Sequence, residues 1–320
     1  MNMPVMIQDQ TISGAMPLRL GFLGADRDAR ACMASLGCAP YAEISAFAET
    51  AACDAMAALS LAPRAFRTFD LEALLKRNIN GLVINSSSAS NAEHALCALA
   101  RSLPVLSLQP IGRCADELRA VLEAARSLGQ RIEIDFPYRL GDRQRELRER
   151  LRNAPSGVIE TIRIDAYLAM PAENEAAYRH QEAQFWHHLV DLALWLQDRP
   201  CLPRLQWLPL TDSKREAIME AADGMLVEIA VHLHTAPSHG ELVCVTVEGA
   251  LEERGLRLSR GKINTLLPSL PAGSQWPQML TSQMSASGWV QRIAEGEGFD
   301  ENSLGMIEIA ECVDQIVGKR

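Results

Sequence analysis

The feature that most constrains this chain is an alternation in its first 140 residues. Short apolar segments that fit strands are separated by stretches with helical periodicity. PLRLGFLG (17–24) reads as a strand ended by a glycine, and DARACMASL (28–36) as a helix. YAEISAFA (41–48), INGLVINSS (79–87), PVLSLQP (104–110) and RIEIDFPY (131–138) read as further strands, with helices over 50–60, 71–78, about 91–101 and 115–129. In the last of these, Leu118, Val121, Leu122, Ala125 and Leu128 share one face, and Gly129 stops it. Strands joined by helices require right-handed crossovers and a parallel sheet covered on both faces. The pattern predicts a doubly wound, Rossmann-like α/β domain.

The second half changes character. A charged helix (143–153) and a long strand (157–170) precede a long helix over about 172–197. LQWLPL, GMLVEIAVHLHTA and ELVCVTVEGALEERGLRLS then alternate without intervening helices, as in an open, mostly antiparallel sheet. Helices are expected at about 275–294 and 302–318. The division expected is a flexible lead-in (1–16), a dinucleotide-binding-type domain (17–130) and an α+β substrate and oligomerisation domain (131–320). Alternating apolar residues on an exposed sheet face would need covering, so a homo-oligomer formed through the C-terminal sheet is expected.

With 320 residues and 48% hydrophobic content, the chain can bury a substantial core. A net charge of −9 argues against a nucleic-acid binder working through bulk positive charge. No apolar run reaches the length of a membrane span, and the first nineteen residues lack a signal-peptide pattern, so a cytoplasmic protein is expected. The eight cysteines, at 32, 38, 53, 97, 114, 201, 244 and 312, form no CxxC pair. They read as buried thiols rather than a disulfide framework or metal site. His232 and His234 share a strand face and His239 follows, but no further ligand is positioned by sequence, and a sheet face or subunit interface is the reading adopted. The basic residues are lopsided, with 27 arginines against four lysines: Lys76, Lys214, Lys262 and Lys319.

Several segments, in order and spacing, resemble blocks of the glucose-fructose oxidoreductase / inositol dehydrogenase / MocA (Gfo/Idh/MocA) family. They are LRLGFLGADRDA, FDLEALLKRNINGLVINSSSASNAEHALCAL, PVLSLQP, IDFPYRLGDRQRELRERL, SGVIETIRID, FWHHLVDLALWL and MIEIAECVDQIVGK. The resemblance implies an NAD(P)-dependent oxidoreductase scaffold acting on a small molecule, usually oligomeric. It also exposes departures. The family's G-x-G-x-x-G/A turn reads here Gly24-Ala25-Asp26-Arg27-Asp28-Ala29. Gly24 and Ala29 fit, but Asp26 stands where glycine lets the backbone approach a pyrophosphate. Asp26 or Asp28 could instead cap the first helix. Glu49 stands where the family has an acid for the ribose hydroxyls, and it reads equally as a solvated acid at a helix start. The family's Glu-Lys-Pro turn reads Leu108-Gln109-Pro110, and Gln109 cannot shuttle a proton near neutral pH. No lysine lies between Lys76 and Lys214. The loop Asn85-Ser86-Ser87-Ser88 resembles the family's Thr-Pro turn, and Ser86 could touch a cofactor. Asn91 stands where a histidine is common.

The family's D-x-x-x-H-x-x-D helix motif reads Gln184…His188…Asp191. Gln184, His188, Asp191 and Trp195 fall on one stripe, beside an apolar stripe of Phe185, Leu189, Leu192 and Leu196. His188 is the remaining candidate acid/base, oriented by Asp191. Arg139 would meet a substrate anion, or else pair with Asp135 or Glu133. No metal site is expected.

Two functions remain open. In one, the protein is a diverged, non-catalytic binding, regulatory or accessory homologue with no cofactor. In the other, it is an NAD(P)-dependent reductase of a small carbonyl or imine, with His188 as proton donor and Gln109 positioning the substrate.

Overall fold

The computed structural model describes residues 17–25, 27–37, 39, 41–49, 55–86, 88–108, 110–139, 142–153, 159–169, 175–197, 206–207, 214–220, 224–234, 242–249, 252–253, 256–257, 263–267 and 286–317. The first half runs β1 (Leu18–Leu23), α1 (Arg27–Leu36), β2 (Ala42–Ala48), α2 (Ala55–Leu61), β3 (Phe66–Thr68), α3 (Leu71–Leu75), β4 (Gly81–Ile84), α4 (Ser88–Leu99), β5 (Val105–Ser107), α5 (Ala115–Leu128) and β6 (Ile132–Ile134). The strands form one parallel sheet in the order β3-β2-β1-β4-β5-β6. This is the dinucleotide-fold order, with its switch point between β1 and β4. β4 and β5 are buried along their whole length because helices cover both faces. β3 was not expected. Its three residues lack an apolar alternation, and it is a strand only because it pairs with the edge of β2.

The second half runs α6 (Asp142–Asn153), β7 (Ile159–Ala169), α7 (Glu175–Gln197), β8 (Gln206–Trp207), β9 (Lys214–Glu220), β10 (Leu226–His234), β11 (Leu242–Gly249), the short pair β12 (Glu252–Glu253) and β13 (Leu256–Arg257), and β14 (Ile263–Leu267). The larger sheet has the order β14-β11-β7-β10-β9-β8. β7 and β10 pair in parallel, and the other neighbours are antiparallel. The sheet is therefore mixed, as a mostly antiparallel reading allows. β9 escaped the sequence reading because four of its seven residues are charged.

Period-two alternation divides this sheet cleanly. Ile162, Ile164, Ala166, Ala217, Met219, Val227, Ile229 and Val231 are buried in one core with Phe185, Leu189, Leu192 and Leu196 of α7. The opposite face differs from the apolar surface expected. Arg163 pairs with Asp165 and Glu228, Lys214 with Glu216, and His232 stacks on Tyr167 with ring centroids 4.6 Å apart. Over β7, β9 and β10 this face thus carries charged and aromatic side chains beside Ile218 and Leu226.

The expected boundary at residue 130 is also corrected. β6 belongs to the first sheet, and the C-terminal helices return to it. Residues 286–294 form α8, whose Ala286, Trp289 and Val290 join the core beneath β1 and α1. Trp289 lies so close to β4 that a Cβ on Gly81 would stand 2.8 Å from its ring. The final helix, α9 (Gly305–Val317), serves both cores: Met306 and Ala310 pack in the first, and Ile309, Cys312, Val313 and Ile316 in the second. Among the described residues, no helix is long and apolar enough to cross a membrane.

α9 also completes α5. The residue before α5, Cys114, makes no side-chain cap, and the amide of Ala115 donates instead to the buried Asp314 carboxylate at 2.9 Å. An acid at this helix end satisfies an orphan N–H and complements the dipole. Asp314→Ala should cost about 1–2 kcal/mol in urea unfolding, and Asp314→Asn, which keeps an acceptor, clearly less.

Candidate functional site

The crevice at the carboxyl ends of β1 and β4 is built by a close backbone approach. Gly24 has φ +93°, and a Cβ there would lie 2.0 Å from the carbonyl oxygen of Asn85. Its amide donates to Ala48 at 2.9 Å, and the amide of Asn85 donates to Leu23 at 2.7 Å. Only glycine fits this turn, as the first position of a dinucleotide fingerprint requires. Ala29 is fully buried against the sheet, in the packing role expected. Asp26 lies outside the described residues. Arg30, which sequence reading passed over, donates to the carbonyl of Ala25 at 3.2 Å, setting a guanidinium over the turn.

The other expected cofactor contacts are already engaged. Arg67 of β3 grips the Glu49 carboxylate with two nitrogens, one at 2.9 Å, and the Glu49 side chain is only 6% exposed. Glu49 is thus neither the solvated acid nor the open ribose ligand that its position suggested. Arg67 was missed because its strand was missed. Ser86 donates from its hydroxyl to Asn91 Oδ1 at 2.6 Å, and the Asn91 amide donates to the carbonyl of Pro110 at 3.2 Å. His94 Nδ1 lies 3.1 Å from the same hydroxyl. The hydroxyl hydrogen is committed to Asn91, so His94 donates there. This buried relay ties the loop after β4 to the loop after β5. Gln109 and Ser87 lie outside the described residues.

The α7 stripe departs further from expectation. His188 and Asp191 are buried, but Asp191 does not orient His188. Its partner is Arg139, which donates to both carboxylate oxygens, one at 2.7 Å. Glu133, one of the two acids suggested for Arg139, is held by Arg131 and Arg292. His188 Nδ1 is buried with no hydrogen-bond partner. Phe136 and Tyr138 meet its ring edge-on, at 6.3 and 6.1 Å between centroids. The segment after β6, including the 3-10 turn Pro137–Arg139, therefore closes over α7 with two aromatic rings and a guanidinium. Gln184 is half-buried. Trp195 lies against α6, with the Arg148 guanidinium 4.7 Å from its ring.

The electrostatics follow from burial. Desolvation, then the neighbouring His187, pushes His188 down to about 3. Desolvation takes His187 to about 4, against the opposing hydrogen bond to Ala183. Burial raises Asp191 to about 6, with Arg139 pulling the other way. His188 is therefore neutral at pH 7 and has no proton to give as an imidazolium. The space at this junction, bordered by Pro110, Phe136, His187 and Met306, amounts to about 10 Å³, the scale of one water. Among the described residues, no group of three or more His, Cys, Asp or Glu side chains is placed to hold a metal. His232 instead lies 3.4 Å from Asp165, and the His234 side chain and His239 fall outside the description. Cys32, Cys97, Cys114 and Cys312 are free thiols, and Cys32 and Cys312 are buried.

No family model matches the chain, and no curated protein does. Solved structures do. The chain is similar to GenD2 from gentamicin A biosynthesis in complex with NAD, with a TM-score of 0.75, 16% identity and 96% of each chain covered. It is similar to a myo-inositol dehydrogenase from Corynebacterium glutamicum, with a TM-score of 0.71, 17% identity and 93% and 96% covered. It is also similar to the Lactobacillus casei myo-inositol dehydrogenase in complex with NAD(H) and myo-inositol, with a TM-score of 0.72, 17% identity and 94% and 93% covered. The chain has the fold of these dehydrogenases, the one that its resemblance to the Gfo/Idh/MocA family implied.

Two outcomes test the geometry. His187 and His188 take protons less readily folded than unfolded. Their contribution to stability is present above pH 6.5 and is lost as pH falls toward about 3. Asp191 has the opposite sign, losing stability as pH rises from about 4 through about 6. Because two histidines oppose one acid, net stability should fall between pH 6.5 and 4, and His188→Phe should flatten that fall in urea titrations. Separately, Gly24→Ala should cost at least ~2 kcal/mol or prevent folding, since the clash is with backbone.

Proposed function

We propose that this chain is a diverged member of the Gfo/Idh/MocA family that has kept the dehydrogenase scaffold and lost its proton-transfer chemistry. It serves as a non-catalytic binding, regulatory or accessory protein. The observation that carries this reading is the Arg139–Asp191 pair. It takes away the acid that would orient His188, and the imidazole is left neutral, buried and walled by Phe136 and Tyr138. The Glu49–Arg67 pair supports it from the cofactor side, because a ribose hydroxyl would have to displace an arginine. Sequence adds Asp26 in place of a phosphate-facing glycine and Gln109 in place of lysine.

A nicotinamide coenzyme fits only in part. The turn at Gly24, with Arg30 over it, suits a diphosphate, whereas the ribose acid is occupied. That partial fit favours the second reading, an NAD(P)-dependent reductase of a small carbonyl or imine. Arg30 would offset the Asp26 charge, and the segment carrying Phe136–Arg139 would have to withdraw before His188 could reach a substrate. We also propose a homo-oligomer through the polar outer face of the second sheet, where the pairs around Arg163 and Asp165 would meet their copies.

The deciding measurement is a titration with NADH and NADPH, followed by energy transfer from tryptophan and by melting temperature. The accessory reading expects no response to 1 mM of either. Dissociation constants below about 100 μM, which would stabilise the fold by mass action, support the reductase. Asp26→Gly combined with Arg67→Ala should create NADH affinity where the unaltered chain has none. A silent double variant would mean that these two side chains are not the block.

A further inference from the structure

β3 ends the strand order of the first sheet, so its far edge has no neighbouring strand among the described residues. The carbonyl of Thr68 accepts from the amide of Glu49 at 2.9 Å, on the side of β2. Successive residues of a strand turn their main-chain groups to opposite edges, so the N–H and C=O of Arg67 face outward. An open edge of this kind is a template for a further strand.

Each face of this edge carries an arginine against an aromatic ring. Phe66 leans on the first core, and the Arg77 guanidinium lies 3.2 Å from its ring centroid. Arg67, the next residue, lies on the opposite face, and its guanidinium is 5.3 Å from the ring of Phe69. Phe69 is 75% exposed, more than any other large hydrophobic side chain among the described residues. Short length and charge are common ways to shield an edge strand, and β3 has both. Shielding gives no reason to hold a phenyl ring in water.

Charge selects the occupant. Glu49 is held by Arg67, Glu72 by Arg101, and Asp70 accepts from the amides at the start of α3. Arg64, Lys76 and Arg77 are exposed, and among the described residues none of them is in an ion pair. The edge is therefore a positive spot on a chain of net charge −9. We propose that the outer edge of β3 is a docking site for an extended segment of a partner protein in which acidic and aromatic side chains alternate. Its main chain pairs with Arg67, its carboxylates meet Arg77 on one face, and its rings meet Phe69 on the other. A nucleic acid could answer the arginines but would leave the main-chain groups of Arg67 unmatched. The inference goes beyond the reading given above and stands whether or not a coenzyme binds.

The test uses the full chain and fluorescence anisotropy with labelled peptides. The probe GEYEYEG alternates acid and ring, and GEEEYYG has the same composition in blocks. We expect the alternating peptide to bind at least tenfold more tightly. Arg77→Glu should weaken it at least tenfold and Phe69→Ser at least fivefold, with melting temperatures unchanged, whereas Arg145→Glu, on the exposed side of α6, should have no effect. Two further forms of GEYEYEG are N-methylated, one at both tyrosines and one at the three glutamates. Alternate amides of a strand point to opposite edges, so one form should lose binding at least tenfold and the other should keep it within threefold. Equal affinity for the two isomers would overturn the proposal. So would equal behaviour of the two methylated forms, an Arg145→Glu effect as large as that of Arg77→Glu, or tighter binding of a twelve-nucleotide oligothymidylate than of the peptide. If a variant fails to fold, the methylated peptides decide on the unaltered chain.

Discussion

The molecule turns on a contact between two main chains. The bend after β1 passes so near the Asn85 carbonyl that no side chain can stand between them. This approach fixes the separation of β1 and β4 at the point where the strand order reverses. Each loop bordering the crevice is then held in relation to it. The loop after β4 is held through Ser86 and Asn91, the loop after β5 through the Pro110 carbonyl, and the first helix through buried Ala29. The crevice has the frame of the dinucleotide fold.

Arginine is the common partner of buried acids in this chain: Glu49 is clasped by Arg67, Asp191 by Arg139 and Glu182 by Arg215 at 2.7 Å. Arginine does not release its proton in proteins and binds carboxylates through a rigid fork. A carboxylate so held is fixed in charge and place, which suits architecture and opposes proton exchange. The arginine-rich, lysine-poor composition thus finds a structural expression in these pairs. Buried pairs of this kind contribute little net stability, but removing one partner strands a charge.

The sequence reading was reliable where periodicity carries information. The stripe of Phe185, Leu189, Leu192 and Leu196 lies in the core, as a 3.6-residue repeat requires, and the parallel sheet followed from alternating strands and helices. It failed where identity depends on a distant partner. Nothing near Asp191 in sequence announces Arg139, 52 residues away, and Arg67 lies on an edge strand too short to show a pattern. The charged pairs on the outer face of β7, β9 and β10 were hidden for a related reason: alternation identifies two faces but does not say how charges pair across neighbouring strands.

The return of α8 and α9 bears on how the chain acquires its structure. The first sheet comes from the opening 134 residues, yet Trp289 backs its central strand and Asp314 supplies the start of α5. A nascent chain halfway through synthesis therefore holds every strand of that sheet while two of its supports are still to be made. Completion of the early domain waits on the last helices, so the two halves of the protein reach their final form together rather than in turn.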